Sequence, residues 1–188
     1  KISVGVSARH IHINKEDLEY LFGKNYELKK QRDLSQKNEY AAEEVVSIKT
    51  QKGQIDNVRI LGPIRDYTQI EISKTDAYKL GINPPVRDSG DLVGSESITL
   101  IFNGKVLNKE YGCIIANRHI HMSDRDAFRL GFKENEVVKI KVNGPKGGIL
   151  DNVHIKIKPT YVLELHIDID DANAHLIKDN DICEVIEN

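Results

Sequence analysis

Arg9-His10-Ile11-His12 near the start of the chain and Arg118-His119-Ile120-His121 in its second half are the same tetrapeptide, and their reading decides the fold. In an extended strand, residues two apart point to one face, so each His-x-His aims two imidazoles at a common point. Histidine is the commonest metal ligand. A single His-x-His is often no more than the polar face of a strand. Two in matching surroundings point to two metal sites in a duplicated protein.

The surroundings do match, and an internal repeat constrains everything read after it. Ser7-Ala8-Arg9-His10-Ile11-His12-Ile13-Asn14 lies over Ala116-Asn117-Arg118-His119-Ile120-His121-Met122-Ser123, and Asp17 falls on Asp126. Glu44-Val45-Val46 then meets Glu136-Val137-Val138, which leaves an insertion in the first half between about Gly23 and Glu43. Asp56-Asn57-Val58 falls on Asp151-Asn152-Val153, and the same register carries Glu71-Ile72 onto His166-Ile167 and Asp76-Ala77 onto Asp171-Ala172.

That register supplies a third donor to each pair. Catalytic metals typically take three protein ligands and leave a position open for water or substrate. Glu71 and His166 occupy matched places in strand-like runs, giving one set of His10, His12 and Glu71 and another of His119, His121 and His166. Zinc suits both, and ligand type alone leaves manganese, cobalt or iron(II) open. His154 and His175 align with Arg59 and Leu80 and read as ordinary surface or edge histidines.

Composition bounds the rest. The chain has 188 residues, 30% of them charged, with a net charge of -2, so no strong field argues for nucleic acid or a membrane surface. No apolar run approaches a membrane span. Cys113 and Cys183 lie in apolar runs without metal-ligand spacing and read as reduced core thiols, consistent with a cytoplasmic protein. No signal peptide is visible, and the chain starts at Lys1 without a methionine.

The secondary structure is mainly β with short α-helices. Alternating or β-branched runs predict strands at Ile2–Ala8, Val45–Thr50, Val58–Leu61, Thr68–Ile72, Ile98–Phe102, Gly112–Ala116, Val137–Val142, Val153–Ile157, Tyr161–Ile167 and Ile182–Ile186. Short helices are predicted after each His-x-His, capped by Asn14 and Ser123 with Asp17 and Asp126 three residues on. Two more are predicted at Lys74–Leu80, ended by Gly81, and at Asp170–Leu176. Turns at Lys52-Gly53, Asn103-Gly104 and Pro145-Lys146-Gly147-Gly148 favour small barrels. Asn83–Ser97 reads as one long loop, a length that in compact domains tends to carry function.

Arg65 breaks the symmetry, because Thr160 stands at its matched place. A guanidinium fork beside one site only suggests an anionic substrate, since it fits phosphate or carboxylate; the other reading is a plain surface arginine.

Together these residues resemble a known family. The two His-x-His motifs, Gly62-Pro63-x-Arg65-x-x-Thr68-Gln69-x-Glu71, Arg87-Asp88-Ser89-Gly90 and His166-Ile167-Asp168 are similar to those of the phosphate propanoyltransferases, phosphotransacylases of the propanediol-utilisation type (the PduL family). The similarity runs from about Ile2 to Val185. Members reversibly convert acyl-CoA and phosphate to acyl phosphate and coenzyme A, with propanoyl-CoA or acetyl-CoA as substrates.

The resemblance implies two packed β-barrel domains, residues 1–8 plus 117–188 and residues 9–116. It also implies two zinc ions per chain near their interface, held by the two triads, a homodimer and a phosphate-binding, catalytic Arg65. The expected division of labour has the His10/His12/Glu71 ion holding the coenzyme A sulfur. The other ion then positions phosphate or polarises the thioester carbonyl. Ser7, Ala8 and Asn173 are carried over as coenzyme A contacts. A basic residue expected before Leu80-Gly81 is replaced by Tyr78, with Lys79 next, which leaves the nucleotide-end contacts open. Family members bound for bacterial microcompartments often carry an N-terminal extension, and none precedes Lys1 here, which favours a freely cytosolic enzyme or a trimmed chain.

Two other classes compete. His10-x-His12-x3-Glu16-x6-Gly23 nearly spells a cupin motif, which would make a metal-dependent oxygenase or isomerase. Against it, Glu16 opens a predicted helix and Arg125 stands at its matched place. A non-enzymatic protein with structural metals is the other; such sites usually close four ligands, often with cysteine.

Overall fold

The computed structural model describes residues 1–186. In chain order the elements are β1 (Ile2–Ser7), β2 (His10–His12), α1 (Lys15–Phe22), β3 (Lys30–Asp33), β4 (Tyr40–Lys49), β5 (Gln54–Gly62), β6 (Gln69–Glu71), α2 (Lys74–Leu80) and β7 (Val86–Arg87). The second half adds β8 (Glu96–Phe102), β9 (Lys105–Ala116), β10 (His119–Met122), α3 (Asp124–Leu130), β11 (Val137–Val142), β12 (Gly148–Ile157), β13 (Glu164–Asp168), α4 (Ile169–His175) and β14 (Ile182–Ile186). Among the described residues no helix is long and apolar enough to cross a membrane.

By its contacts the chain divides into two compact units, one of Lys1–Ala8 with the chain from Asn117 onward, the other of Arg9–Ala116. Each unit is built on a closed six-stranded barrel. In the first, β10, β12, β11, β14, β1 and β13 follow one another round the ring. In the second, the pairings run β2, β5, β4, β8, β9, β6 and back to β2. Closure leaves no unpaired edge in either ring. Two short extra strands attach outside the second ring, β3 along β4 and β7 along β9.

The two rings correspond strand for strand, with one exchange. β1 precedes β2 in the chain but closes the ring of β10, whereas β9 precedes β10 and closes the ring of β2. The registers match as well: Val4 lies beside Leu165 in parallel pairing, and Cys113 lies beside Ile70, the residue aligned with Leu165. Each repeat therefore gives its first strand to the barrel of the other.

Apolar residues at alternate strand positions fill the rings. Ile11, Ile48, Ile60, Ile70, Leu100 and Cys113 form the heart of one core, and Val4, Ile120, Ile140, Ile155, Leu165 and Cys183 the other. Asn14, Ser73, Ser123 and Asp168 cap the four helices, each accepting the backbone N–H three residues on. At its C-terminus α4 departs from the matched α2: Leu176 takes the left-handed conformation that Gly81 takes there, at φ 52°.

Several boundaries differ from expectation. β9 begins at Lys105, because the Asn103-Gly104 turn makes a long hairpin with β8. β13 begins at Glu164, three residues later than Tyr161. The Asn83–Ser97 loop contains a two-residue strand, β7, and the insertion holds β3. Both short strands are stabilised by pairing to distant chain, which local pattern does not report.

Ile120 is fully buried between β12 and β13. Ile120→Ala is expected to destabilise the protein by about 2–5 kcal/mol, the usual range for emptying such a core position, read as a lowered denaturation midpoint with unchanged slope.

Candidate metal centres

β2 and β6 run antiparallel with His10 opposite Glu71, Ile11 opposite Ile70 and His12 opposite Gln69. On its other side β2 sets Ile11 beside Ile60. Ile11, Ile60 and Ile70 are all fully buried, so this row faces the barrel interior. The residues flanking each isoleucine must then point the other way, which carries His10, His12 and Glu71 to one outer face.

β10 and β13 repeat the arrangement, with His119 opposite His166, Ile120 opposite Leu165 and His121 opposite Glu164. In each triad the donor atoms all lie within 4.8 Å of one another. His10 Nε2 stands 3.5 Å from Glu71 Oε2, and the rings of His10 and His12 meet edge to face at 4.9 Å. The rings of His119, His121 and His166 lie 4.6–5.1 Å apart.

The donor chemistry fits a divalent ion. His119 Nδ1 lies 2.8 Å from the carbonyl of Asn117, and a carbonyl only accepts, so Nδ1 carries the proton and Nε2 is left as the ligand. His121 stacks flat on Tyr161 at 3.8 Å, which fixes its ring plane. Burial above all, then His10 and Arg65, hold the His12 imidazole well below its usual value, in the neutral form that binds metal. Two imidazoles with a carboxylate, and three imidazoles, are sets that zinc accepts with a position left open.

Arg65 belongs to the same unit as the His10/His12/Glu71 group and is held on three sides. Its Nη2 donates to Glu39 Oε1 at 3.0 Å, and its Nη1 donates to Tyr67 Oη at 2.8 Å and to Ser89 Oγ at 3.3 Å. Its backbone N–H donates to the carbonyl of Ile13, immediately after β2. Glu39 comes from the insertion present in the first repeat alone, as Arg65 itself is. That coincidence is the signal the sequence offers for Glu39.

Ser7, Ala8 and Asn173 lie in the other unit. Ser7 ends β1 beside Asp168, the residue that caps α4, and Asn173 is exposed on α4. Ala8 is exposed just beyond β1. Tyr78 projects from α2 with 86% of its surface exposed. His154 and His175 join neither triad; His175 Nδ1 donates to the Lys146 carbonyl at 2.9 Å.

The arginine of each tetrapeptide has a purpose the motif alone did not reveal. Arg118 grips Asp171 with two nitrogens at 2.9 and 3.0 Å, and Arg9 reaches Asp76 at 3.0 Å. Asp76 and Asp171 are matched first-turn residues of α2 and α4, the helices that follow each third donor. Each arginine thus ties its His-x-His strand to the helix that follows the third donor. Glu16, the cupin-like position, is exposed in the first turn of α1 and belongs to neither triad.

Comparison with known proteins gives a consistent picture. The family model for phosphate propanoyltransferase matches residues 3–178. A phosphate propanoyltransferase of Thermotoga maritima is 49% identical over 187 residues, covering 99% of this chain and 89% of the relative. Those of Priestia megaterium and Rhodobacter capsulatus are 48% and 46% identical, covering 96% and 92% of this chain and 83% and 80% of the relatives.

The His12 environment has a pH consequence. Its folded-state value lies well below the ordinary 6.5, so below pH 6.5 the unfolded chain takes up a proton that the folded, metal-free protein refuses. Stability is therefore full above that pH and falls as pH drops through the window beneath it, by up to about 1.4 kcal/mol per pH unit. His12→Asn should flatten the slope by about one proton in urea denaturation of metal-free protein. An unchanged slope would contradict the burial argument.

Proposed function

The chain belongs to the phosphate propanoyltransferase family and is a phosphate acyltransferase, and on that premise we propose that it interconverts propanoyl-CoA and phosphate with propanoyl phosphate and coenzyme A. Acetyl-CoA is proposed as a second substrate, and zinc as the ion in both triads. The observation that carries this reading is the pair of matched three-donor groups, with a braced guanidinium in the unit of one of them.

His10, His12 and Glu71, and His119, His121 and His166, would each hold a divalent ion, which would supply Lewis acidity toward the negative charge of the reacting thioester. The remaining work falls to side chains. Arg65 offers phosphate a planar fork whose geometry matches two of its oxygens. Glu39 and Tyr67 hold that fork before substrate arrives, so less orientational freedom is lost on binding. A phosphate oxygen attacks the thioester carbonyl, the C–S bond breaks, and coenzyme A leaves as thiolate.

Cysteine acylation has no support as an alternative route. Cys113 and Cys183 are fully buried, and burial pushes both thiols up, that of Cys183 to about 11. Direct transfer to phosphate fits this inventory. Ser7, Ala8 and Asn173 are proposed to contact coenzyme A.

The test is thiol release from propanoyl-CoA and acetyl-CoA, with and without phosphate, before and after chelation and zinc restoration. Phosphate-dependent release that disappears with chelator and returns with zinc is expected, and metallated protein that releases none from either substrate overturns the reading. Arg65→Ala should raise the phosphate KM about 10–100-fold, the value of one or two charge-assisted hydrogen bonds, and change the acyl-CoA KM far less. Equal damage to both constants would remove Arg65 from phosphate binding.

A further inference from the structure

Gln69 and Glu164 occupy one place in the two barrels, opposite the second histidine of each pair and two residues before the third donor. Both are buried, at 0% and 7% exposure, although neither is apolar. Each lays its head group on that third donor. Gln69 Nε2 donates to Glu71 Oε1 at 3.2 Å, and Glu164 Oε1 faces His166 Nε2 at 2.6 Å.

The chemistry of the two pairs is reciprocal. Where the third donor is a carboxylate, its neighbour is an amide with an N–H to give. Where the third donor is an imidazole, its neighbour is a carboxylate that accepts. Buried polar groups persist only with such partners, because each left alone costs about 1–3 kcal/mol. The fold also makes room for the second pair: a Cβ at Gly5 on β1 would stand 2.9 Å from the Glu164 carboxyl.

Gln69 reaches further. Its Oε1 accepts from the Gly90 N–H at 2.8 Å and from Ser89 Oγ at 3.3 Å, and its Nε2 lies 3.1 Å from the same hydroxyl. Ser89 Oγ in turn accepts from Arg65 Nη1. One buried amide thus joins the Glu71 carboxylate, the loop after β7 and the guanidinium of Arg65.

We propose that Gln69 and Glu164 are positioning residues of the two centres, each fixing the orientation of its third donor, with Gln69 also holding the partner of Arg65 in place. The inference rests on reading both triads as metal sites. It explains why unlike donors serve matched positions. With Glu164 included, each centre has one carboxylate among its donors and their immediate support, so a divalent ion meets the same formal charge in both.

The test titrates metal-free protein with zinc against a competing chromophoric chelator and pairs this with phosphate and acyl-CoA kinetics. Gln69→Met keeps length and volume but removes both hydrogen-bonding ends. It should weaken one of two zinc sites about 10–100-fold, as loss of a ligand's supporting partner usually does, and leave the other unchanged. The phosphate KM should rise about tenfold with the acyl-CoA KM within about twofold, a split that simple loss of stability does not produce. Glu164→Met should weaken the other site by a similar factor, whereas Glu164→Gln, whose amide oxygen still accepts from His166, should stay within about threefold of the parent.

Unchanged zinc affinities in folded Gln69→Met and Glu164→Met overturn the proposal. If Gln69→Met does not fold, Ser89→Ala at an exposed position removes the hydroxyl that links Gln69 to Arg65 and should show the same raised phosphate KM, and an unchanged KM there overturns that part of the proposal. Parent protein that takes up no zinc sinks this inference together with the metal reading. Parent protein that binds two zinc ions without releasing thiol overturns the activity alone, and the affinity measurements then still decide the positioning roles.

Discussion

Both centres depend on a cross-strand register: His10 directly opposite Glu71, and His119 directly opposite His166. Strand side chains alternate, so a slip of one residue would turn every donor into a barrel core. The apolar row between the donors prevents the slip. Ile11, Ile60 and Ile70 in one ring, and Ile120, Ile155 and Leu165 in the other, are fully buried, each contributing about 1.5–3 kcal/mol. A slip would forfeit three such residues and bury unpartnered imidazoles in their place. Hydrophobic packing thus sets the geometry in which polar chemistry takes place.

The polar face carries its own cost, which neighbours offset. His10 and His12 are each 7% exposed, and Gln69 is wholly enclosed. Hydrogen bonds from one element to the next keep these groups satisfied: Gln69 to Glu71 and the loop after β7, Glu164 to His166, and Arg9 and Arg118 to the helices that follow. A partly exposed ion pair is worth only about 0–1 kcal/mol, so the arginine struts matter for direction more than for stability.

Duplication supplied two similar scaffolds, and later differences made them chemically unlike. One repeat has the extra segment with Glu39 and carries Arg65; the other carries a histidine where its twin has a glutamate, and Thr160 in place of the arginine. Exchange of the first strands means that neither repeat closes its barrel from its own residues. Parallel pairing of β1 with β13, and of β9 with β6, completes each ring on the strand that bears the third donor.

The repeat, the two triads, the four helices with the caps Asn14 and Ser123 and the mainly β character were all legible in the chain, because each is written in local spacing or in the match between halves. The periodicity of His-x-His states which residues share a face, and the aligned register names the third donor without any knowledge of the fold. Ring closure, the exchange of β1 and β9, the short strands β3 and β7 and the bracing of Arg65 by Glu39 were not legible, since each joins residues far apart in sequence through contacts that leave no local pattern. Gln69 and Glu164 lay in plain view in the alignment, yet as an ordinary strand glutamine and glutamate they gave no signal. Sequence determined which side chains could act together, by spacing and repetition; tertiary structure decided which polar groups are buried against them, because burial depends on strands that only closure of the barrel brings side by side.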